Sequence, residues 1–374
     1  MAHNHRTWIE ISSAALRHNL GVFQRVIGPH VGILPIVKSN AYGHGVAEVA
    51  SILKTQRHAG FGVAYGQEAL HLRAMKYRGR IVVLSFWQTR ELPELIRKNV
   101  ELVVWDRPSL EAVIRASKHS KVRPKIHLKL DSGTSRIGFT PADIGHLQKR
   151  LPTLSGLRIV GVFSHLANSE EQPLQKTKNQ IRYFTTLESR LDLESRVARH
   201  LACTASIIRY PEARFGFVRL GIGLYGLWPS SPIKAWTKAN LPGLALRPVM
   251  TWKSRISQVK RVPRRTAVGY GGTWVAKKPS SIATIPVGYG DGYRRPWSNR
   301  AWVMVGQRRA PVIGRVSMNL LLVNVTAIPS AHRGQEVTLL GPGITVDDLS
   351  VLASNTINYE ITTAIHPDIP RSIV

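Results

Sequence analysis

Ile33-Leu34-Pro35-Ile36-Val37-Lys38 is a short apolar run closed by a lysine, and similar runs recur through the first two-thirds of the chain. They lie at 60–64, 81–84, 101–105, 126–130, 159–163, 200–202 and 217–220. Runs this short, apolar and rich in β-branched residues predict strands covered on both faces. Most are separated by stretches long enough for a helix, and several of these are amphipathic, such as 67–77 and 179–191. Eight strands alternating with helices over about 240 residues predict an α/β fold, a (β/α)8 barrel of the TIM type, ahead of a doubly wound sheet. The run at Glu101 is short and opens on a charge, which keeps an open parallel sheet as the alternative.

Beyond about residue 245 the helical period fades, and short strands punctuated by Gly and Pro replace it. They are expected at 251–259, 281–286, 301–305, 310–316, 320–325 and 336–340. Val346-Asp347-Asp348-Leu349 opens a short helix with acids in its first turn. The alternating Thr7-Trp8-Ile9-Glu10-Ile11 reads as a strand. The expected division is therefore a barrel over 12–245 and a β-rich domain over 246–374 together with 1–11.

The 374 residues carry 52 Lys and Arg against 22 Asp and Glu, a net +30. The basic residues are scattered, with the densest run at Lys260-Arg261-Val262-Pro263-Arg264-Arg265. Zinc-finger spacing and RNA-recognition aromatics are missing, so the excess charge reads as a solvated basic surface, with no specific nucleic-acid partner. No apolar run approaches the roughly 20 residues that span a bilayer, and the opening residues lack the apolar stretch of a secretory signal. Cys203 is the single cysteine, so no internal disulfide is possible. A soluble, cytoplasmic protein is the expectation. The terminal pair His3 and His5 reads as a solvated end, and no metal site is expected.

In a barrel, chemistry sits at the C-terminal ends of the strands. Lys38 closes the first barrel run, where it is either a rim lysine or an amine made nucleophilic by desolvation. Gly221-Ile222-Gly223-Leu224-Tyr225-Gly226 follows the last run. It matches a dinucleotide pattern formally, but Trp228-Pro229-Ser230-Ser231-Pro232 follows in place of a helix. A glycine loop there also suits a phosphate held at the barrel mouth.

Lys38-Ser39-Asn40-Ala41-Tyr42-Gly43-His44-Gly45 closely resembles the cofactor-lysine motif of the alanine racemase family, Lys-Ala-Asn-Ala-Tyr-Gly-His-Gly. The resemblance continues at 131–139, 163–168, 218–226, 268–271, 286–293, 314–318 and 358–360. It implies a homodimer with shared active sites and pyridoxal 5'-phosphate bound to Lys38 as a Schiff base. The phosphate would lie on the backbone amides of Gly221 and Ile222 and the hydroxyls of Tyr42, Thr204 and Tyr359. Arg219 would face the pyridine nitrogen and keep it unprotonated, because a guanidinium can only donate.

Racemisation needs an acid/base group on each face of Cα. By resemblance these are Lys38 and Tyr270 of the partner subunit, with His165 and Arg219 assisting the tyrosine. Arg136 and the backbone amide of Met318 would bind substrate, and a carbamylated Lys129 would hold Arg136. Tyr289 and Arg295 would line the entrance. The implied reaction is interconversion of L- and D-alanine, supplying D-alanine for peptidoglycan.

Four departures stand out: Ser39 for alanine, Thr204 for serine, Cys203 for asparagine and Asn319 for the usual aspartate. The last removes an acid near the substrate and leaves a broader racemase, acting on serine or larger amino acids, as the nearest alternative. A decarboxylase of the same barrel type and a non-catalytic binding protein are more distant ones.

Overall fold

The computed structural model describes residues 5–118, 120–353 and 356–374; His3 lies outside them. The chain divides into two compact units, one of residues 16–38 and 49–247, the other of 1–15, 39–48 and 248–374. Strand β1 (Thr7–Ile11) belongs to the second unit and precedes the eight strands of the first.

Those eight are β2 (Gly32–Pro35), β3 (Phe61–Tyr65), β4 (Ile81–Phe86), β5 (Leu102–Val104), β6 (Lys125–Lys129), β7 (Arg158–Phe163), β8 (Ala198–His200) and β9 (Phe217–Leu220). Each overlaps one of the expected runs, β8 by His200 alone. Parallel ladders join β3 to β4, and β5 through β6 and β7 to β8. Pairs of backbone bonds bridge the remaining seams: Ala59 N–H to Ile33 O (2.6 Å) with Val37 N–H to Gly62 O (2.9 Å), Glu101 N–H to Ile81 O with Val83 N–H to Glu101 O (both 2.9 Å), and Gly216 N–H to Arg199 O (3.0 Å) with Arg219 N–H to Ala202 O (2.9 Å). The first strand then pairs with the last, Ile33 beside Val218. Closure of this ring excludes the open sheet, and the unit is a (β/α)8 barrel.

Strand residues such as Leu34, Val83, Leu102, Leu128 and Val218 are wholly buried, as a covered parallel sheet requires. Helices lie between the strands and are started by local chemistry. Asp106, for example, accepts from Ser109 N–H at 2.7 Å and caps Arg107–Ser117, a bond worth about 1 kcal/mol. The helix expected at 179–191 starts earlier, at Leu174, and runs to Ser189. A helix also begins inside the stretch read as lacking one: Ser231–Asn240, with Pro232 in its first turn, where the missing N–H costs nothing.

The second unit is β-rich. Beside β1 it contains β10 (Met250–Arg255), β11 (Gln258–Val262), the small pair β12 (Ala267–Val268) and β13 (Trp274–Val275), β14 (Ser280–Ile285), β15 (Trp302–Val305), β16 (Arg308–Ile313), β17 (Leu321–Asn324), β18 (Glu336–Leu340) and β19 (Arg371–Ile373). Nine strands form one sheet in the order β11-β14-β17-β16-β15-β18-β10-β1-β19. The single strand expected over 251–259 is broken. Ile256 N–H still bonds Gln335 O, but Ser257 N–H turns to Thr284 O, so the chain changes neighbours at that point. The helix Asn358–Thr363, strand β19 and the β12-β13 pair were not foreseen. Trp8, Trp252, Tyr293 and Trp297 are fully buried in this unit, and all three indoles find acceptors, Trp8 in Glu10 Oε1 (3.1 Å), Trp252 in Thr7 Oγ1 (2.7 Å) and Trp297 in Leu349 O (2.9 Å).

Candidate active site

The barrel unit carries Lys38, Lys129, Arg136, His165, Thr204, Arg219, Gly221 and Ile222. Lys38 follows β2, Lys129 ends β6, His165 follows β7 and Arg219 lies in β9. Four of the strands thus deliver chemistry to their C-terminal ends.

The Lys38 side chain is open to solvent, yet protein crowds it enough to lower its pKa through desolvation, helped by the charge of Arg136; Glu68 and Cys203 oppose this. Lys129 is buried, with Nζ donating to Leu84 O at 3.3 Å and standing 5.4 Å from the Phe163 ring centre. Burial, then Arg219 and Arg136, pull it down to about 7. Desolvation and the same cations pull His165 to about 3, so its imidazole is neutral.

Arg219 is 5% exposed, and both terminal nitrogens are committed. Nη1 donates to His200 Nδ1 (3.0 Å) and His200 O (2.9 Å). Nη2 donates to Ser164 O (2.8 Å) and Leu201 O (2.9 Å), and reaches His165 Nδ1 at 3.3 Å. Burial lowers its pKa to about 10, which leaves it charged at neutrality.

Arg136 is carried on a loop organised by Asp131, whose carboxylate accepts from the backbone N–H of Gly133, Thr134, Ser135 and Arg136 at 2.9–3.2 Å. Thr204 Oγ1 accepts from Gly221 N–H (3.2 Å) and Gly223 N–H (3.3 Å), which ties the glycine loop to the start of helix Thr204–Arg209.

The charge balance is one-sided. Arg136 lowers the pKa of Lys38, and Arg219, Arg136 and Lys38 all lower that of Lys129, while Asp131 is spent on backbone amides. A mouth built this way favours a ligand that brings negative charge, as a phosphate with a carboxylate would.

The β-rich unit carries Tyr42, Tyr270, Met318 and Tyr359. Residues 39–42 form a left-handed turn, with φ of 52–55° at Ser39, Asn40, Ala41 and Tyr42. For side chains other than glycine this costs roughly 1–2 kcal/mol per residue. Hydrogen bonds offset it: Gly43 N–H to Ser39 O, Gly45 N–H to Asn40 O and Val46 N–H to Asn40 Oδ1. Arg371 adds two bonds to Gly43 O, at 3.0 and 2.9 Å. Gly43 lies against the carbonyl of Thr362, where a Cβ would collide. The turn sets the Tyr42 ring 6.0 Å from that of Tyr359, which the unforeseen helix carries. Tyr270 is 71% exposed and Met318 57%. Tyr289 is exposed too, and Arg295 opens a short 3-10 turn.

Sequence reading passed over Glu101, His127 and His200, which connect Arg219 to the barrel interior. His127 Nε2 is 2.9 Å from Glu101 Oε2, and His127 Nδ1 is 3.0 Å from His200 Nε2. The available signal was three titratable residues inside apolar strand runs. Among the described residues, no group of three or more His, Cys, Asp or Glu could hold a metal ion, and no helix is long and apolar enough to cross a membrane.

Barrel and site together define an α/β-barrel protein in which a lysine of lowered pKa stands in a cationic mouth. Family models agree: the alanine racemase N-terminal domain matches residues 11–229 and the C-terminal domain 249–373. The chain is 38% identical over 372 residues to an alanine racemase of Syntrophobacter fumaroxidans, covering 98% of this chain and 96% of that one. Its fold matches the crystal structure of alanine racemase from a D-cycloserine-producing Streptomyces lavendulae, with a TM-score of 0.92, 30% identity and coverage of 100% and 98%. It also matches an alanine racemase from Bacillus anthracis with bound L-Ala-P, with a TM-score of 0.91, 29% identity and coverage of 100% and 96%. The chain belongs to the alanine racemase family and is an isomerase.

Proposed function

We propose that this protein interconverts L- and D-alanine with pyridoxal 5'-phosphate as cofactor. Lys38 is the observation that carries the reading: an accessible amine at the end of a barrel strand, with a lowered pKa, among cations that suit a phosphate-bearing group. Lys38 would hold the cofactor. Thr204 with the amides of Gly221 and Ile222, and Tyr42 with Tyr359, would hold its phosphate. Arg219 would donate to the ring nitrogen. Bound there, the cofactor supplies an electron-withdrawing ring that acidifies the substrate Cα–H.

Two bases then serve opposite faces of Cα. Lys38 Nζ takes or returns the proton on one face. Tyr270 Oη of the partner subunit serves the other, and its exposure in this chain is what a residue lent to another copy needs. Neutral His165 and charged Arg219 would orient that hydroxyl. Arg136 and the amide of Met318 of the partner subunit would bind the substrate carboxylate.

Lys129, held to about 7, has a large neutral fraction at physiological pH. Its Nζ can add to the carbon of CO2 and release a proton. The resulting carbamate replaces a repelling cation beside Arg136 with an attracting anion. On this reading the protein works as a cytoplasmic homodimer and supplies D-alanine for peptidoglycan. Lys38→Ala is expected to lose both the visible absorbance of the tethered cofactor and racemisation; retention of either would contradict the assignment.

A further inference from the structure

Four groups line up inside the barrel. Glu101, just before β5, is 4% exposed; His127 in β6 is 1%, His200 ending β8 is 0% and Arg219 in β9 is 5%. Successive separations are 2.9 Å (Glu101 Oε2 to His127 Nε2), 3.0 Å (His127 Nδ1 to His200 Nε2) and 3.0 Å (His200 Nδ1 to Arg219 Nη1). At the outer end Arg80 Nε donates to Glu101 Oε1 at 3.1 Å, and the Arg80 side chain reaches solvent.

Counting donors fixes every proton. A guanidinium has donors only, so His200 Nδ1 must be bare. Neutral His200 then carries its proton on Nε2, aimed at His127 Nδ1, which must be bare in turn. His127 therefore carries its proton on Nε2 and donates to the Glu101 carboxylate. An imidazolium at His127 would set two donors face to face, either at His200 or at Arg219. Desolvation raises the Glu101 pKa, but His127, Arg80 and Lys125 outweigh it and keep the carboxylate ionised. Burial, then Arg219, holds His200 well below the usual imidazole range.

The barrel is built around this line. A Cβ at Gly161 in β7 would collide with the His127 imidazole, so glycine opens the space the ring occupies. The His200 ring is stacked between Phe163 at 4.5 Å and Phe217 at 4.2 Å, which leaves its edges to the two polar neighbours.

We infer that Glu101 and His127 are positioning residues for the reaction. They hold His200 in the tautomer that accepts from Arg219 and so fix the guanidinium, whose Nε–H makes none of these bonds, as the donor to the cofactor ring. The inference rests on the role proposed above for Arg219.

Glu101→Gln keeps the shape and reverses the demand. Arg80 can only donate, so the amide oxygen faces Arg80 and the amide NH2 faces His127. His127 must then accept at Nε2 and donate from Nδ1, which moves the His200 proton onto Nδ1, against Arg219. Arg80→Met in the same chain lets the amide turn over and restores the order.

Ring-15N NMR of histidine-labelled, cofactor-free protein reads the tautomers. Wild type should carry Nε2–H at both His127 and His200, Glu101→Gln should move both protons to Nδ1, and the double variant should return them. In the loaded enzyme, Glu101→Gln should lower kcat about 10- to 100-fold, the loss expected when a charged group forfeits a buried hydrogen bond. KM should stay nearly unchanged, and the double variant should recover most of kcat. An imidazolium at His127 in wild type, or tautomers indifferent to Glu101→Gln, would overturn the inference. Should that variant not fold, the wild-type tautomers decide alone. Because the NMR needs no cofactor, its failure is distinct from failure of the cofactor assignment, which Lys38→Ala reads.

Discussion

Two candidate site residues of the barrel unit and two of the β-rich unit stand in opposite states. In the barrel, Arg219 and Lys129 are buried and their partners are specified; desolvation lowers both pKa values, and Arg219 lowers that of Lys129 further. In the β-rich unit, Tyr270 and Met318 stand in solvent. The contrast separates two tasks. A fixed electrostatic environment must be assembled before the ligand arrives, and only a closed, dry interior keeps it in place. On the mechanism proposed above, Tyr270 is a proton donor lent to another copy, and such a residue must be exposed before assembly.

Tyr270→Phe probes the exposed side and carries the larger expected effect. Racemisation should fall about 10²- to 10⁴-fold, the usual contribution of one acid/base group. The melting temperature should hardly move, since surface substitutions generally change stability by less than about 0.5 kcal/mol. A variant with normal racemisation would remove the tyrosine from the reaction and blur the contrast.

Lys129→Met probes the buried side. With the folded-state pKa at about 7 against an ordinary value of 10.5, the unfolded chain holds more protons between those limits. Stability therefore rises with pH across that window, and the lysine is most costly below it. In bicarbonate-free buffer without cofactor, urea unfolding should find Lys129→Met more stable at pH 6, by on the order of 4 kcal/mol. The gap should close towards pH 10, and added bicarbonate should narrow it by stabilising wild type alone. A gap independent of pH would mean that Lys129 is not held as a neutral amine.

How much was legible in the sequence follows the range of the interactions. The eight barrel strands were, because burial on both faces writes itself as local apolar runs. Lys38 was conspicuous because it ends one of them. Glu101 misled: its charge counted against a strand, and it is the carboxylate that ends the buried line. Its partner His127 lies 26 residues away, and His200 lies 73 beyond that, so no local pattern connects them.

The left-handed turn at Ser39–Tyr42 was hidden for a similar reason, since part of its support comes from Arg371, 328 residues from Gly43. Strand 251–259 broke because the chain changes neighbours at Ile256-Ser257, and Pro232 concealed a helix that it merely begins. Tyr270, with no element pattern around it, was reachable only through family resemblance.

The central claim is that Lys38 and Tyr270 exchange the Cα proton on opposite faces of alanine. Its most direct test is to incubate the cofactor-loaded protein with L-alanine in D2O and follow chirality and mass together. The account predicts D-alanine carrying deuterium at Cα. L-alanine recovered unchanged and unlabelled, with cofactor bound, would contradict it.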